Sequence, residues 1–215
     1  VSDPFGLSPD AVRRALPLLL ALYRGWFRVE SRGREHLPAR GPALLVANHA
    51  GLLPFDGAMA SLDVWLGSDP PRLPRALFDP FVTRLGPVRR VFEALGPVLA
   101  SRATLAALLR AGELALVFPE GVDGIVKPVT QRYRLQTFRT GFVRAALAAR
   151  APVVPMAIVG SDDQAPVLWD VKPLARSLGL PVAPITPTFP WLGPLGLLPY
   201  PVRYRIAYGE PLAPA

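Results

Sequence analysis

Ala43-Leu44-Leu45-Val46-Ala47-Asn48-His49-Ala50-Gly51-Leu52-Leu53-Pro54-Phe55-Asp56 reads as an apolar strand, a turn and the start of a helix. Pro54 suits a helix start, which puts Asp56 in the first turn. A histidine just past the carboxyl end of a strand in an α/β sheet stands where such folds bind ligands. A carboxylate in the following helix turn can reach back and hold one ring nitrogen of His49. The other nitrogen is then free to take a proton, the base-plus-orienter logic of hydroxyl activation. The same residues also read as a loop histidine beside an aspartate that complements the helix dipole.

Outward from this stretch, short strands alternate with helices of about ten residues. Strands are expected at Trp26–Glu30, Ala43–Ala47, Pro97–Ala100, Leu114–Phe118, Val153–Val159 and Val202–Tyr208. Helices are expected at Pro54–Leu66, Arg102–Ala111 and Gly141–Arg150, with two looser helical pieces in Leu77–Leu95. Ser101 and Thr140 stand at cap positions, Gly112 closes the first of those helices and Pro152 follows the second. Pro181–Pro201 is punctuated by Pro and Gly and reads as an apolar loop. The pattern predicts an α/β fold: a mixed, largely parallel sheet flanked by helices.

Before the first strand, Ser8, Pro9 and Asp10 are helix-start residues, and Val12, Leu16, Leu19, Leu20, Tyr23 and Phe27 recur at helical spacing. Arg13, Arg14 and Arg24 fall off that stripe, and Pro17 is expected to kink or divide the helix. The stripe can pack on its own domain or lie in a bilayer interface with arginines at the headgroups. The expected organisation is an N-terminal amphipathic, membrane-associating helix at 1–28 and a catalytic domain at 29–215.

The 215 residues, 51% hydrophobic and 19% charged, can bury a real core and exclude general disorder. The absence of cysteine excludes a disulfide scaffold, a thiol nucleophile and a Cys-ligated zinc. With His36 and His49 the only histidines, a His-rich metal site is not expected. A net charge of +8 favours anionic partners. Nucleic acid is not the expected one, because no run interleaves basic residues with aromatics. No stretch reaches the apolar length of a spanning helix, and no signal peptide is visible.

Three further places can carry chemistry. Val117-Phe118-Pro119-Glu120-Gly121 ends a strand with a rigid turn and one carboxylate, so Glu120 can accept a hydrogen bond from a substrate hydroxyl; an ordinary turn is the plain alternative. Val98-Leu99-Ala100-Ser101-Arg102 puts an arginine at a helix N-terminus, unfavourable for the dipole unless an anion sits there. Lys127, Arg132, Arg134 and Arg139 make a basic loop that can bind phosphate or simply be solvated.

In order and spacing these stretches resemble the motifs of the glycerolipid acyltransferases, the bacterial 1-acylglycerol-3-phosphate acyltransferases and their relatives. Asn48, His49 and Asp56 match the first motif, Ala100-Ser101-Arg102 the second, Phe118-Pro119-Glu120-Gly121 the third, and Val153-Val154-Pro155-Met156-Ala157 the fourth. The resemblance runs from about Gly33 to Pro211. It implies a glycerol-3-phosphate acyltransferase-like fold and transfer of an acyl group from acyl-CoA or acyl carrier protein to a lipid hydroxyl. The implied acceptor is a lysophospholipid such as 1-acylglycerol-3-phosphate, and the implied place a peripheral one on the cytoplasmic face of a bacterial membrane. His49 is then the general base and Asp56 its orienter. Glu120 and Gly121 position the acceptor, Arg102, Lys127, Arg132 and Arg134 hold a phosphate, and no metal or redox cofactor is needed. The missing Gly-x-Ser-x-Gly elbow lowers the odds of a serine hydrolase. The loop Pro190–Pro199 can enter the bilayer, line an acyl groove or cover the core.

Two departures stand out. Six residues separate His49 from Asp56, where the family's usual pattern has four, so the extra pair must bulge for the carboxylate to reach the ring. Val122-Asp123 replaces the usual Thr-Arg or Ser-Arg after the third motif. The altered spacing is the ground for one alternative, a catalytically inactive membrane- or lipid-binding module on the same fold.

Overall fold

The computed structural model describes residues 3–84 and 86–214. Val1, Ser2, Leu85 and Ala215, which the expected segments 1–28, 77–95 and 29–215 include, lie outside the described residues. In chain order the helices are α1 (Pro9–Ala21), α2 (Phe55–Gly67), α3 (Gly86–Leu95), α4 (Arg102–Arg110), α5 (Val122–Ile125), α6 (Gly141–Ala149) and α7 (Lys172–Leu178). The strands are β1 (Glu30–Arg32), β2 (Ala43–Ala47), β3 (Arg75–Phe78), β4 (Val98–Leu99), β5 (Leu114–Val117), β6 (Val153–Val159), β7 (Trp169–Asp170), β8 (Pro184–Ile185) and β9 (Arg205–Tyr208).

Seven strands form one sheet in the order β1-β9-β6-β2-β5-β3-β4. All five residues of β2 are buried, as a continuous apolar run in a covered parallel strand requires. It pairs in parallel with β5 (Leu45 opposite Leu116) and with β6 (Leu45 opposite Val154). β3 and β4 extend the parallel set, while β9 runs antiparallel to β6, so the sheet is mixed and mostly parallel. Alternation along β2 divides the core between two faces. Ala43, Leu45 and Ala47 join Met59, Ala60 and Val64 of α2 on one face. Leu44 and Val46 join Leu105, Leu108 and Leu109 of α4 and Ala146 of α6 on the other.

The N-terminal stripe packs on this core. Tyr23 and Phe27 are buried in it, and Leu16, Leu19 and Leu20 lie against it. Helix α1 starts with the Ser8 hydroxyl accepting from the Ala11 amide, as expected. It runs through Pro17 as one helix, so the expected division does not occur. Pro17 and Arg13 are both exposed, so the Arg13 carbonyl that loses its N–H partner faces water.

Other differences have local causes. The strand expected at Trp26–Glu30 is replaced by a π-helical turn (Leu22–Trp26), and pairing begins only at Glu30. Tyr23 and Phe27 are core anchors one turn apart, a helical spacing, and the Phe27 ring stacks on Tyr204 with centroids 4.7 Å apart. The helical pieces expected in 77–95 give way at their start to β3. Its first residue, Arg75, is 4% exposed and paired with Asp3 and Glu113, so a charge masks the apolar run. β9 begins at Arg205 rather than Val202, because the backbone of Tyr204 is already bonded to Phe27 and Glu30. Thr140 stands at the start of α6 without a side-chain capping bond, whereas Ser101 caps α4 through the Thr104 amide.

Candidate active site

Strands β2, β5 and β6 run in parallel, so the residues that follow them meet at one edge of the sheet. His49 comes two residues after β2. Its backbone N–H donates to Glu120 Oε1 at 2.9 Å, and its ring stacks on Phe118 with centroids 4.3 Å apart. Nδ1 lies 2.5 Å from Asp56 Oδ2. The extra residues therefore do bulge, and the carboxylate does reach the ring.

Asp56 is fully buried at the start of α2. Its Oδ2 also accepts from the Ala50 amide at 3.0 Å, and its Oδ1 from the Gly57 amide at 2.7 Å. Two backbone donors thus bond the carboxylate at the positive end of the helix. A carboxylate facing Nδ1 favours the tautomer that carries its proton there, and Nε2 has no partner among the described residues. The side chain of His49 is 16% exposed, enough for a small group to reach Nε2.

The turn from Ala50 to Leu53 is braced from β6's side of the sheet. Gly51 has φ +85°, and a Cβ there would fall 1.8 Å from Nε2 of Gln164. Gln164 is fully buried. Its Nε2 donates to the Leu53 carbonyl at 3.0 Å, and its Oε1 accepts from the Tyr204 hydroxyl. Burial, and then the negative charge of Asp56, push the Tyr204 hydroxyl far above its ordinary pKa, so it stays a donor.

Glu120 takes a different place from the one expected. It is fully buried, with Oε1 on the His49 amide and Oε2 on the Gln136 amide at 2.6 Å. The carboxylate ties the His49 loop to the basic loop instead of standing open to a substrate hydroxyl. Gly121 has φ +57° and ψ −141°, a conformation that only glycine adopts readily. Gly124 packs under His49, and a Cβ there would lie 2.7 Å from the His49 carbonyl oxygen.

Lys127 also differs from expectation. Its Nζ is buried against Asp162 at 3.1 Å and donates to the Arg134 carbonyl, so it is a strut under the loop rather than an open phosphate ligand. Arg132 and Arg134 are exposed, Arg132 lying 3.5 Å from Asp163. Arg139 lies 3.6 Å from Asp123, one of the two residues that depart from the family pattern. Arg102 is exposed at the start of α4, after β4. That strand is three places from β2 on the same edge, roughly 14 Å away across the sheet. The structure thus gathers His49, Asp56, Glu120 and Gly121, and leaves Arg102, Arg132 and Arg134 on the rim.

A groove of about 800 Å³ opens beside the site. Pro155 and Ala157 of β6 and Ala207 of β9 form its floor, Phe142 and Val143 of α6 line a wall, and it reaches Asn48, next to His49. Asn48 itself is spent on the backbone of Ile158, giving and accepting one bond each. Among the described residues no group of three or more His, Asp or Glu side chains could hold a metal ion, and no helix is long and apolar enough to cross a membrane.

Sequence reasoning missed Gln164, Gly124 and the stacking of Phe118. A glycine followed by two leucines in the His49 turn is the one local trace of Gln164, because nothing around Gln164 itself points toward residue 51.

Three comparisons bear on this geometry. A family model described as "Acyltransferase" matches residues 28–159, more than half of the chain. An uncharacterized protein of Mycobacterium leprae is 48% identical over 214 residues, 98% of this chain and 58% of that protein. A chicken (Gallus gallus) protein named "DGAT1/2-independent enzyme synthesizing storage lipids" is 27% identical over 211 residues, 96% of this chain and 60% of that protein. The chain thus spans about three-fifths of the length of the curated relatives it matches. Among solved structures, the 1-acyl-sn-glycerophosphate (LPA) acyltransferase PlsC from Thermotoga maritima superposes with a TM-score of 0.59 at 18% identity, over 95% of this chain and 68% of that one.

Proposed function

The chain belongs to the acyltransferase family, and from that premise we propose that it moves a fatty acyl group from acyl-CoA or acyl carrier protein to the hydroxyl of a lysophospholipid such as 1-acylglycerol-3-phosphate. The observation that carries this reading is the 2.5 Å contact of Asp56 with Nδ1 of His49, which leaves Nε2 as a directed base at the sheet edge. Nε2 takes the proton of the acceptor hydroxyl as its oxygen attacks the thioester carbonyl carbon. The new C–O bond forms, the C–S bond breaks, and the imidazolium returns the proton to the leaving thiolate. A base so placed contributes about 10²–10⁴ in rate. No acyl-enzyme is required, and none of the roles falls to a metal or redox cofactor.

Arg102, Arg132 and Arg134 hold a phosphate of donor or acceptor at the rim. The apolar groove that reaches Asn48 is of a size that suits ligands, and takes the acyl chain. Asp56's reach to His49 takes away the ground for an inactive module, since the longer spacing does not cost the histidine its orienter.

Work at a membrane surface follows from a second feature. The 26 residues from Ser177 to Val202 carry no charge and expose Trp191 (75%), Leu192, Leu195 (70%) and Leu198. This loop sits beside the site, for the Tyr200 amide donates to the carbonyl of Gln164. Trp26 joins it through a bond from Nε1 to the Pro199 carbonyl, and Arg24 and Arg28 flank Trp26. Exposed tryptophan and leucine rimmed by arginine fit the headgroup region of an anionic, peripheral contact.

The test is release of free thiol from long-chain acyl-CoA, and separately from acylated carrier protein, with anionic vesicles. Lysophosphatidate, other lysophospholipids, diacylglycerol and fatty alcohols serve as acceptors. Release that depends on one acceptor and is lost in His49→Ala is expected. A folded protein that releases no thiol with any donor and acceptor, or a His49→Ala variant as fast as the parent, overturns the reading.

A further inference from the structure

We propose that Gln164 is a positioning residue for the catalytic pair, holding the lengthened loop between His49 and Asp56 in the one conformation that lets the carboxylate meet the ring. For its kinetic consequence the inference rests on the function proposed above; its structural claim does not.

Two residues more than usual separate the histidine from its carboxylate, so the loop has added freedom that must be removed for a 2.5 Å contact to persist. Backbone–backbone bonds act at the helix end of the loop, from the Phe55 N–H to the Leu53 carbonyl at 2.8 Å and from the Ala58 N–H to the Pro54 carbonyl at 3.1 Å. Gln164 meets the loop at its middle in two ways. Its amide donates to the Leu53 carbonyl at 3.0 Å, and its side chain fills the space that a Cβ at Gly51 would need. Contact with both ends of the Gly51–Leu53 segment fixes its height over the sheet.

Gln164 is fixed in turn. Its Oε1 accepts from Tyr204, whose ring stacks on Phe27, and its backbone carbonyl accepts from the Tyr200 amide at 2.7 Å. Every polar group of the side chain is therefore committed, and the residue is fully buried. A glutamine fits this post where a leucine or methionine of like volume does not, because only the amide adds a second donor to the Leu53 carbonyl, beside the Phe55 N–H at 2.8 Å, and gives the buried Tyr204 hydroxyl its acceptor. The brace runs from the Tyr204 hydroxyl to the loop, and its hydrogen bonds go to Leu53, Tyr204 and Tyr200 rather than to His49 or Asp56, so it acts on the catalytic pair through the position of the loop.

The experiment uses proton NMR of the folded protein in water together with steady-state kinetics. The His49 Nδ1 proton, held in a short bond to a carboxylate, gives a far-downfield line that His49→Ala assigns. His36, the second of the two histidines, bonds the Tyr208 carbonyl through Nδ1 at 3.0 Å and serves as an internal control. In Gln164→Met the His49 line is expected to broaden or vanish while the His36 line stays. The kcat is expected to fall on the order of 10- to 100-fold with KM little changed. In an Asp56→Asn background Gln164→Met is expected to add no further loss, because both act on the same contact. A His49 line that persists unchanged in folded Gln164→Met overturns the proposal, as does a Gln164→Met loss that adds in full to that of Asp56→Asn. Should Gln164→Met fail to fold, Gly51→Ala approaches the same contact from the loop side, and an unchanged His49 line there overturns it equally. If no acceptor supports turnover in the parent protein, the proposed function fails, and the NMR line still decides the role of Gln164.

Discussion

Helix α2 carries two aspartates on one face, Asp56 and Asp63, two turns and about 10.5 Å apart along the axis. Both are fully buried, and both are hydrogen-bonded on each oxygen. Asp56 holds His49, whose far nitrogen has no partner among the described residues and reaches the surface. Asp63 accepts from the hydroxyls of Tyr23 and Tyr208 and from Arg34 Nη2 at 2.5 Å, a set that joins the π-helical turn after α1 to α2 and β9. Burial of a carboxylate therefore does not by itself mark chemistry. What separates the two is whether the partner passes the interaction on to solvent: an imidazole does, while phenols and a neutralising guanidinium absorb it.

The sharpest way to break this contrast is to remove one charge at a time. Asp56→Asn is expected to lower kcat/KM by about 10²–10⁴ while the protein stays folded, because the amide no longer fixes the Nδ1 proton. Kinetics on the purified variant, with thermal unfolding alongside, checks this. A loss confined to stability would put Asp56 in the same class as Asp63.

Alkali probes both clusters together. Tyr23 and Tyr208, through burial and then Asp63, and Tyr204, through burial and then Asp56, all have hydroxyl pKa values raised in the fold. A raised folded value means that the native state keeps a proton the unfolded chain gives up. Their contribution is complete below the unfolded value of about 10 and drains away as pH rises beyond it, by up to about 1.4 kcal/mol per pH unit for each tyrosine. Denaturant midpoints measured from about pH 9 to about pH 11 are expected to fall steeply, with phenolate absorbance appearing only as the protein unfolds. Early phenolate absorbance in folded protein would show that one of these hydroxyls is open.

Asp63→Asn is expected to cost about 3 kcal/mol of stability, since it strands Arg34 and confronts two phenolic donors with an amide. The activity per folded molecule should stay within about twofold of the parent. Unfolding curves and active-fraction kinetics separate the two effects.

The same contrast explains what could be read in the sequence. Strands β2 and β6 and helices α2, α4 and α6 were legible because each is a short apolar pattern with its stop signals close by. His49 and Asp56 were legible for the same reason: their relation is settled within eight residues. Nothing in the sequence around Asp63 sets it apart, because its partners lie 29 to 145 residues away. Lys127 looked like an open cation because Asp162 is remote in sequence, and Glu120 looked like an open acceptor because the amide that occupies its second oxygen belongs to Gln136. β3 was hidden by Arg75, whose partners, Asp3 and Glu113, come from both directions along the chain. Local pattern reveals an element or a pair when the deciding contacts are local, and it misleads about charge when a distant partner has already taken that charge.

The finest test leaves both carboxylates in place and removes one hydroxyl. Tyr23 donates to Asp63 and accepts from Arg34 Nη2 at 2.8 Å, so Tyr23→Phe leaves Asp63 with Tyr208 and Arg34. A loss of about 1 kcal/mol is expected, seen as a Tm lowered by about 2–4 °C. The kcat should be unchanged within about twofold, because the three donors on Asp56 come from His49, Ala50 and Gly57, none of which bonds to Tyr23. A tenfold or larger fall in kcat in this mild variant would mean that a shift at the far end of α2 reaches the His49 contact. The helix would then be a rigid link between the two carboxylates, and Asp63 would set the height of Asp56 as surely as Gln164 sets the loop above it.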